Sequence, residues 1–289
     1  MRSCAFLVGV IASGCSFGLP GPAGGAAPDG TVAPDSTPPP GDAAQLGPWG
    51  TPTLVLTDTG DDPTLTDDLL ELYYNRNNDI YVAKRATTAE PFGTPVLVPE
   101  LSTAAGETTP EITGDGLTIF VASARIGGFG ADDVWMFTRL SRSQPFGSPT
   151  QMVSLSTAGE DAASAPTSDL LSLVLVRNTT NQPYDIFESS RRTTDLPWSV
   201  PVPIGEVNSA MSDASPFLLG DKLTLYFDSN RGGTNDLYVA TRTAVDAPFG
   251  AAQLIGELAT TAADADPWVS PDQRHLFFVR ENQVYEATR

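Results

Sequence analysis

Beyond residue 47, short apolar runs alternate with turn-forming clusters, and the pattern recurs five times. The apolar runs are Leu70–Tyr74, Leu117–Val121, Leu171–Val176, Leu223–Phe227 and Leu276–Val279. Runs this short, bounded by Gly, Asp, Asn and Pro, read as strands rather than helices. Each is followed by a strand that opens on Asp (Gln in the last) and ends six residues later on Arg. These are Asp79 to Arg85, Asp133 to Arg139, Asp185 to Arg191, Asp236 to Arg242 and Gln283 to Arg289. A turn with Asp at its centre precedes each apolar strand: Asp68, Asp115, Asp169, Asp221 and Asp272. Contexts such as Gly114-Asp115-Gly116 are hairpin chemistry, so these Asp are expected to shape turns.

A third marker fixes the period. Pro-aromatic pairs followed by Gly or Ser stand at Pro48-Trp49-Gly50, Pro91-Phe92-Gly93, Pro145-Phe146-Gly147, Pro197-Trp198-Ser199 and Pro248-Phe249-Gly250. Their spacings of 43, 54, 52 and 51 residues match four-stranded propeller blades, whose period is about 40–50 residues. A further apolar stretch, such as Val96–Leu101 or Ala252–Leu258, follows each pair as an outer strand. The last unit ends at Arg289 without an outer strand, and the first begins with one that has no blade, Thr51–Leu56. The expected fold is therefore all-β, a five-bladed propeller over 48–289, closed by the N-terminal outer strand completing the last blade. Closure of this kind removes an open sheet edge.

Leu225-Tyr226-Phe227-Asp228-Ser229-Asn230-Arg231-Gly232-Gly233, followed by Asp236-Leu237-Tyr238, resembles the TolB-type, WD40-like repeat of bacterial envelope proteins. The Gly-His and Trp-Asp signature of eukaryotic WD40 repeats is missing. The best-known TolB-type propellers have six blades, against five here. The Ser-Asn-Arg-Gly-Gly turn is also lost at Arg177–Asn181 and Arg280–Asn282.

The segment before the repeats changes the setting. Arg2 precedes an apolar run, Ala5–Ala12, too short to span a bilayer, which takes about 20 residues. Residues 1–14 therefore read as a signal peptide. Ala12-Ser13-Gly14-Cys15 resembles the lipobox of bacterial lipoproteins, with Ala12 where that family prefers Leu. The resemblance implies cleavage before Cys15, lipidation of Cys15 and, from Ser16, the outer membrane. Residues 15–47, rich in Pro, Gly and Ala, read as a disordered tether. The expected setting is export, with the lipid anchor as the sole membrane attachment.

Composition narrows the chemistry. The 289 residues carry 35 acids against 16 Lys and Arg, a net charge of −19. Nucleic acid is excluded as a partner, because phosphate contacts need clustered cations. One His and two Cys exclude a Cys/His zinc site. His275 takes the place of Thr118 and Thr224 in sister units and reads as a surface-facing residue.

Three sets of residues remain. Arg76, Arg125, Arg177, Arg231 and Arg280 end the apolar strands. They read as structural braces to Asp79, Asp133, Asp185 and Asp236, with Arg280, opposite Gln283, the least satisfied. Eight residues before the turn Asp stand Glu107, Asp161, Asp213 and Asp264, with Gly60-Asp61 in the first unit. These acids are expected at one mouth of the central channel, as a ring for a basic segment or a cation. Trp268, free of the repeat motifs, is the aromatic candidate beside them. The leading expectation is a non-catalytic module binding a protein or peptide partner in the envelope, with no catalytic residue and no cofactor. The alternatives are a glycan hydrolase using a channel carboxylate pair and a propeller stabilised by Ca²⁺ through oxygen ligands.

Overall fold

The computed structural model describes residues 46–178 and 183–289, with residues 163 and 164 described by backbone alone. The signal segment 1–14, Cys15 and the tether up to residue 45 lie outside the described residues. Strand β1 (Thr53–Leu54) comes first in the chain. Blade 1 then holds β2 (Asp61–Leu65), β3 (Glu71–Arg76), β4 (Asp79–Lys84) and β5 (Val96–Leu97). Blade 2 holds β6 (Glu107–Ile112), β7 (Thr118–Ser123), β8 (Asp133–Thr138) and β9 (Thr150–Gln151). Blade 3 holds β10 (Glu160–Pro166), β11 (Ser172–Asn178), β12 (Asp185–Ser190) and β13 (Val202–Pro203). Blade 4 holds β14 (Asp213–Leu218), β15 (Thr224–Ser229), β16 (Asp236–Thr241) and β17 (Gln253–Leu254). Blade 5 holds β18 (Asp264–Val269), β19 (His275–Arg280) and β20 (Gln283–Thr288), and β1 completes it.

All five sheets are antiparallel and four-stranded, and the molecule is a five-bladed β-propeller. Each innermost strand touches the innermost strands of both neighbours, β18 and β2 included, so the ring closes. At the seam, Leu54 pairs with Tyr285 and Thr53 with Glu286. Outer strands are shorter than the sequence suggests, two residues each. In blades 1 to 4 the apolar strands also start one residue late. There the turn Asp accepts the N–H of Leu70, Leu117, Leu171 or Leu223 and holds that residue in the turn.

The Pro-aromatic marker and the strand-ending Arg prove to be one device. The guanidinium lies over the aromatic ring in every blade: Arg85 on Phe92 at 4.3 Å, Arg139 on Phe146 at 4.6 Å, Arg191 on Trp198 at 4.3 Å, Arg242 on Phe249 at 4.4 Å and Arg289 on Trp49 at 4.0 Å. Each Nε donates to the carbonyl of the residue after the turn Asp, at 2.6–2.7 Å. The accepting residues Leu69, Gly116, Leu170, Lys222 and Gln273 all have left-handed φ. The residue after the aromatic donates its N–H back to the third strand, as in Gly50 to Thr288 at 2.8 Å. One Arg thus ties the turn, the third strand and the outer loop together, and planar Arg suits this stacked role better than Lys.

The apolar core lies largely between blades. Val176 and Ile186 of blade 3 pack with Leu225 and Phe227 of blade 4, and Tyr226 and Leu237 of blade 4 with Leu276 and Phe278 of blade 5. Because Trp49 is buried under Arg289 at the seam, Trp49→Ala should lower stability by about 3–5 kcal/mol. Phe92→Ala, at a half-buried sister position, should cost less in the same denaturant titration.

Candidate functional site

Five innermost strands line the channel, and in four of them the acid at the opening is already engaged. Glu107, Asp161, Asp213 and Asp264 are fully buried. Arg125 Nη2 donates to Glu107 at 2.8 Å, Arg177 Nε to Asp161 at 2.5 Å, Arg231 Nη2 to Asp213, and Arg280 to both oxygens of Asp264 at 2.6 and 2.7 Å. The same guanidinium reaches the crossover from the preceding blade, donating to the carbonyl of Leu101, Leu155, Val207 or Leu258 at 2.6–3.0 Å. The carboxylate holds the other end of that loop in three blades, accepting the N–H of Thr103, Thr157 or Ser209 at 2.5–2.6 Å.

Two expectations change here. Among the described residues, no Arg brace hydrogen-bonds Asp79, Asp133, Asp185 or Asp236; the Arg partners are the acids assigned to the channel mouth. Arg280 is accordingly one of the best satisfied members, because its partner was never at position 283. Asp133 instead accepts the N–H of Phe129 at 2.6 Å, capping a hairpin loop. In blade 1 the acid position is Gly60, where a Cβ would come within 2.3 Å of the Tyr74 ring. Asp58 supplies the carboxylate instead, bonding Arg76 and the Tyr74 hydroxyl.

Four innermost strands share a Pro at the same position: Pro63, Pro110, Pro216 and Pro267. The residue before each, Asp62, Thr109, Ser215 and Asp266, has φ of 44–55°. A register shift falls at the same point in each strand pair. These bulges bring Asp62, Ser215 and Asp266 within hydrogen-bond reach, and Pro is tolerated because the strand's inner edge has no partner strand.

The bulges gather a second set of carboxyls. Asp62 N–H donates to Asp266 Oδ2 at 3.3 Å, Ser215 Oγ to Asp266 Oδ1 at 2.7 Å, and Asp266 N–H to Asp228 Oδ1 at 3.3 Å. Glu111 accepts from Thr64 Oγ1 at 3.1 Å. Asp61 lies against Asn75, whose Oδ1 is buried without a hydrogen-bond partner. Among the described residues no cation acts on the carboxyls of this group. Burial, with the charge of Asp266 behind it, pushes Asp61 up to about 6 and Asp228 to about 7. Burial likewise lifts Glu111 to about 8, and Asp62 and Asp266 above the usual carboxylate range.

Of the residues singled out from sequence, the structure brings Asp61 to this group. Trp268 lies at the other end of the channel, buried against Phe217 and Phe277. There it lines an apolar cavity of about 240 Å³ with Leu65, Ile112 and Leu218. His275 is half-buried, its Nδ1 2.6 Å from Glu286. Among the described residues, no three His, Cys, Asp or Glu form a ligand set for one metal ion. No helix among them is long and apolar enough to cross a membrane.

No family model and no curated protein matches the chain. Solved structures do match in fold. A putative TolB from Agrobacterium tumefaciens shares 18% identity over 78% of this chain and 71% of its own, with a TM-score of 0.52. An endo-arabinase from Bacteroides thetaiotaomicron shares 12% over 81% and 95%, at 0.61. The α-L-arabinofuranosidase PaAbf62A of Podospora anserina shares 10% over 86% and 93%, at 0.52. The chain thus has the propeller fold of TolB and of these glycoside hydrolases.

Two outcomes follow from the site. Arg125→Met strands the buried Glu107 charge and should cost about 3–5 kcal/mol, whereas Arg125→Met with Glu107→Leu should recover most of it; urea titration of both variants measures this. The channel carboxyls bind protons more tightly folded than unfolded. Stability should therefore fall as pH rises from about 4.5 to about 8, by about 1.4 kcal/mol per pH unit for each group titrating. Asp266→Asn removes the charge common to the cluster, so its melting temperature should vary less with pH.

Proposed function

We propose that the protein is a non-catalytic binding module of the bacterial cell envelope, held by a lipidated Cys15 on the tether 15–47. Its ligand site is the channel mouth between blades 5 and 1. The observation that carries the reading is the set of acceptors lining it, Asp61, Asp266 and Asn75 Oδ1, with Asp62 and Asp228 behind them and the lining Arg76 already held by Asp58. Such a group favours a ligand that brings positive charge or N–H donors.

A photo-cross-linking residue at Asn282, on this mouth, should capture the ligand in cells making the full lipidated chain. Capture should be lost with Asp266→Asn and should not occur from Thr94 on the rim. Equal capture from both positions, or capture unaffected by Asp266→Asn, would contradict the reading.

Glycan hydrolysis is the second reading. It is favoured by a protonated Glu111 in the same channel as the more acidic Asp61, a division of labour that sugar cleavage uses. The fold neighbours that cleave arabinosides support it in architecture alone. The clefts at the mouth are lined by Asp61 and Asp266 and not by Glu111, which weighs toward binding. Binding predicts no reducing-sugar release from arabinan; release abolished by Glu111→Gln would make the protein a hydrolase.

A further inference from the structure

The departures from fivefold symmetry meet at one place. Blade 2 joins its second and third strands by a nine-residue loop, 124–132. Blades 1 and 5 use two-residue turns, Asn77-Asn78 and Glu281-Asn282, all four residues with left-handed φ of 52–62°. Paired residues of this conformation form tight hairpin turns. Next to these low turns two clefts open, of about 460 and about 330 Å³. Both are lined by Asp61 and Asn282, so they adjoin across the seam of blades 5 and 1. Asp266 lines the larger, with Ala262, Ala265 and Val279; Asn75 lines the smaller.

Acceptors predominate on these walls, and the one cation that lines them, Arg76 in the smaller cleft, is already paired. Asp61 and Asp266 are acceptors when ionised, and Asn75 is only 5% exposed with Oδ1 unpartnered. A buried acceptor without a donor costs free energy that a bound donor would recover. That Arg76 is held by Asp58 and lies 3.9 Å over the Tyr81 ring, which turns its charge away from Asp61. A bare metal ion fits poorly, since no three acidic side chains converge on one point among the described residues. The volume suits a small organic molecule, and the Ala and Val walls suit methylene groups.

We propose that these joined clefts bind a linear aliphatic diamine or polyamine, one ammonium at Asp61 and Asn75 and the next at Asp266. This rests on the binding reading above and names the ligand class for that site. Binding ionises the carboxyls, so protons leave as the amine enters, and affinity rises with pH. The charged groups lining the clefts are Asp61, Asp266, Glu281 and Arg76, with Asp62, Asp228 and Glu111 coupled to Asp266 behind them. The two acids of β10 are engaged elsewhere, Asp161 with Arg177 and Glu160 with Tyr184.

Calorimetric titration of the full chain with 1,5-diaminopentane tests the proposal, with 1,5-pentanediol as the uncharged counterpart. The expected result is saturable diamine binding that tightens about tenfold for each proton displaced per pH unit between about pH 5.5 and 7.5. The diol should give none. Asp61→Asn and Asp266→Asn should abolish binding with melting temperatures showing a folded chain, and the exposed Glu90→Gln should retain it. Should Asp266→Asn not fold, Asp61→Asn carries the test. No saturable diamine binding, equal binding of the diol, or unchanged affinity in Asp61→Asn would overturn the proposal. So would Ca²⁺ that binds more tightly at the same residues. If diamine fails while cross-linking from Asn282 still depends on Asp266, the ammonium assignment falls and the binding site stands; if both fail, the binding reading falls too.

Discussion

A guanidinium and a carboxylate, buried together where the chain passes from one blade to the next, set the geometry of this propeller. A crossover has no strand ladder to hold it, so its backbone groups need other partners. The Arg at or just past the end of a blade's second strand takes a carbonyl of the incoming crossover, and the acid near the start of that blade's innermost strand takes a crossover N–H. Their mutual ion pair locks the two ends to the new blade. Charge buried this way is tolerated because each partner is hydrogen-bonded several times over; Glu107 alone accepts from Thr103, Ser123 and Arg125. A second Arg, on the opposite side of each blade, stacks on the Pro-aromatic ring and holds the left-handed turn. Two Arg per blade, each doing a geometric job, explain why Arg so outnumbers Lys in an acidic chain.

Once those acids are committed to structure, the channel's own chemistry has to come from elsewhere. It comes from the bulged pre-proline residues, which repeat in position but vary in identity: Asp62, Thr109, Ser215 and Asp266. Blades 5 and 1 carry the carboxyls, and the same blades have the shortest turns. The ring closes at this seam too, where β1 pairs with β20. Local strain, the unpaired Asn75 Oδ1 and open space therefore coincide at one point of an otherwise repetitive scaffold, as expected where function overrides regularity.

The blades were legible because each carries three markers at fixed offsets, and a split last blade follows from counting them. The Arg braces were legible as structural, but their partners were not. Asp133 is the nearer acid to Arg125 in sequence, yet Glu107 is the partner, because the antiparallel register of β6 and β7 sets Glu107 opposite Ser123. Register across two strands is a pairing fact that spacing along one chain does not contain. The channel cluster was hidden for a related reason. Asp62 and Asp266 stand 204 residues apart and meet only through ring closure. The signal that was present is the Pro recurring in four innermost strands, an unusual residue for a strand and a marker of bulges. Trp268 misled because its freedom from the repeat motif means a channel-facing place in the core, not an open surface.

The account turns on a carboxyl cluster in the channel that no cation neutralises, distinct from the acids bound to Arg. Carbon-13 NMR titration of the Asp and Glu side-chain carboxyls measures that directly. The account predicts that Asp61, Asp228 and Glu111 titrate near 6, 7 and 8, and that Asp266→Asn moves all three toward ordinary values. Midpoints near 4 for these three groups in the unaltered protein would contradict it.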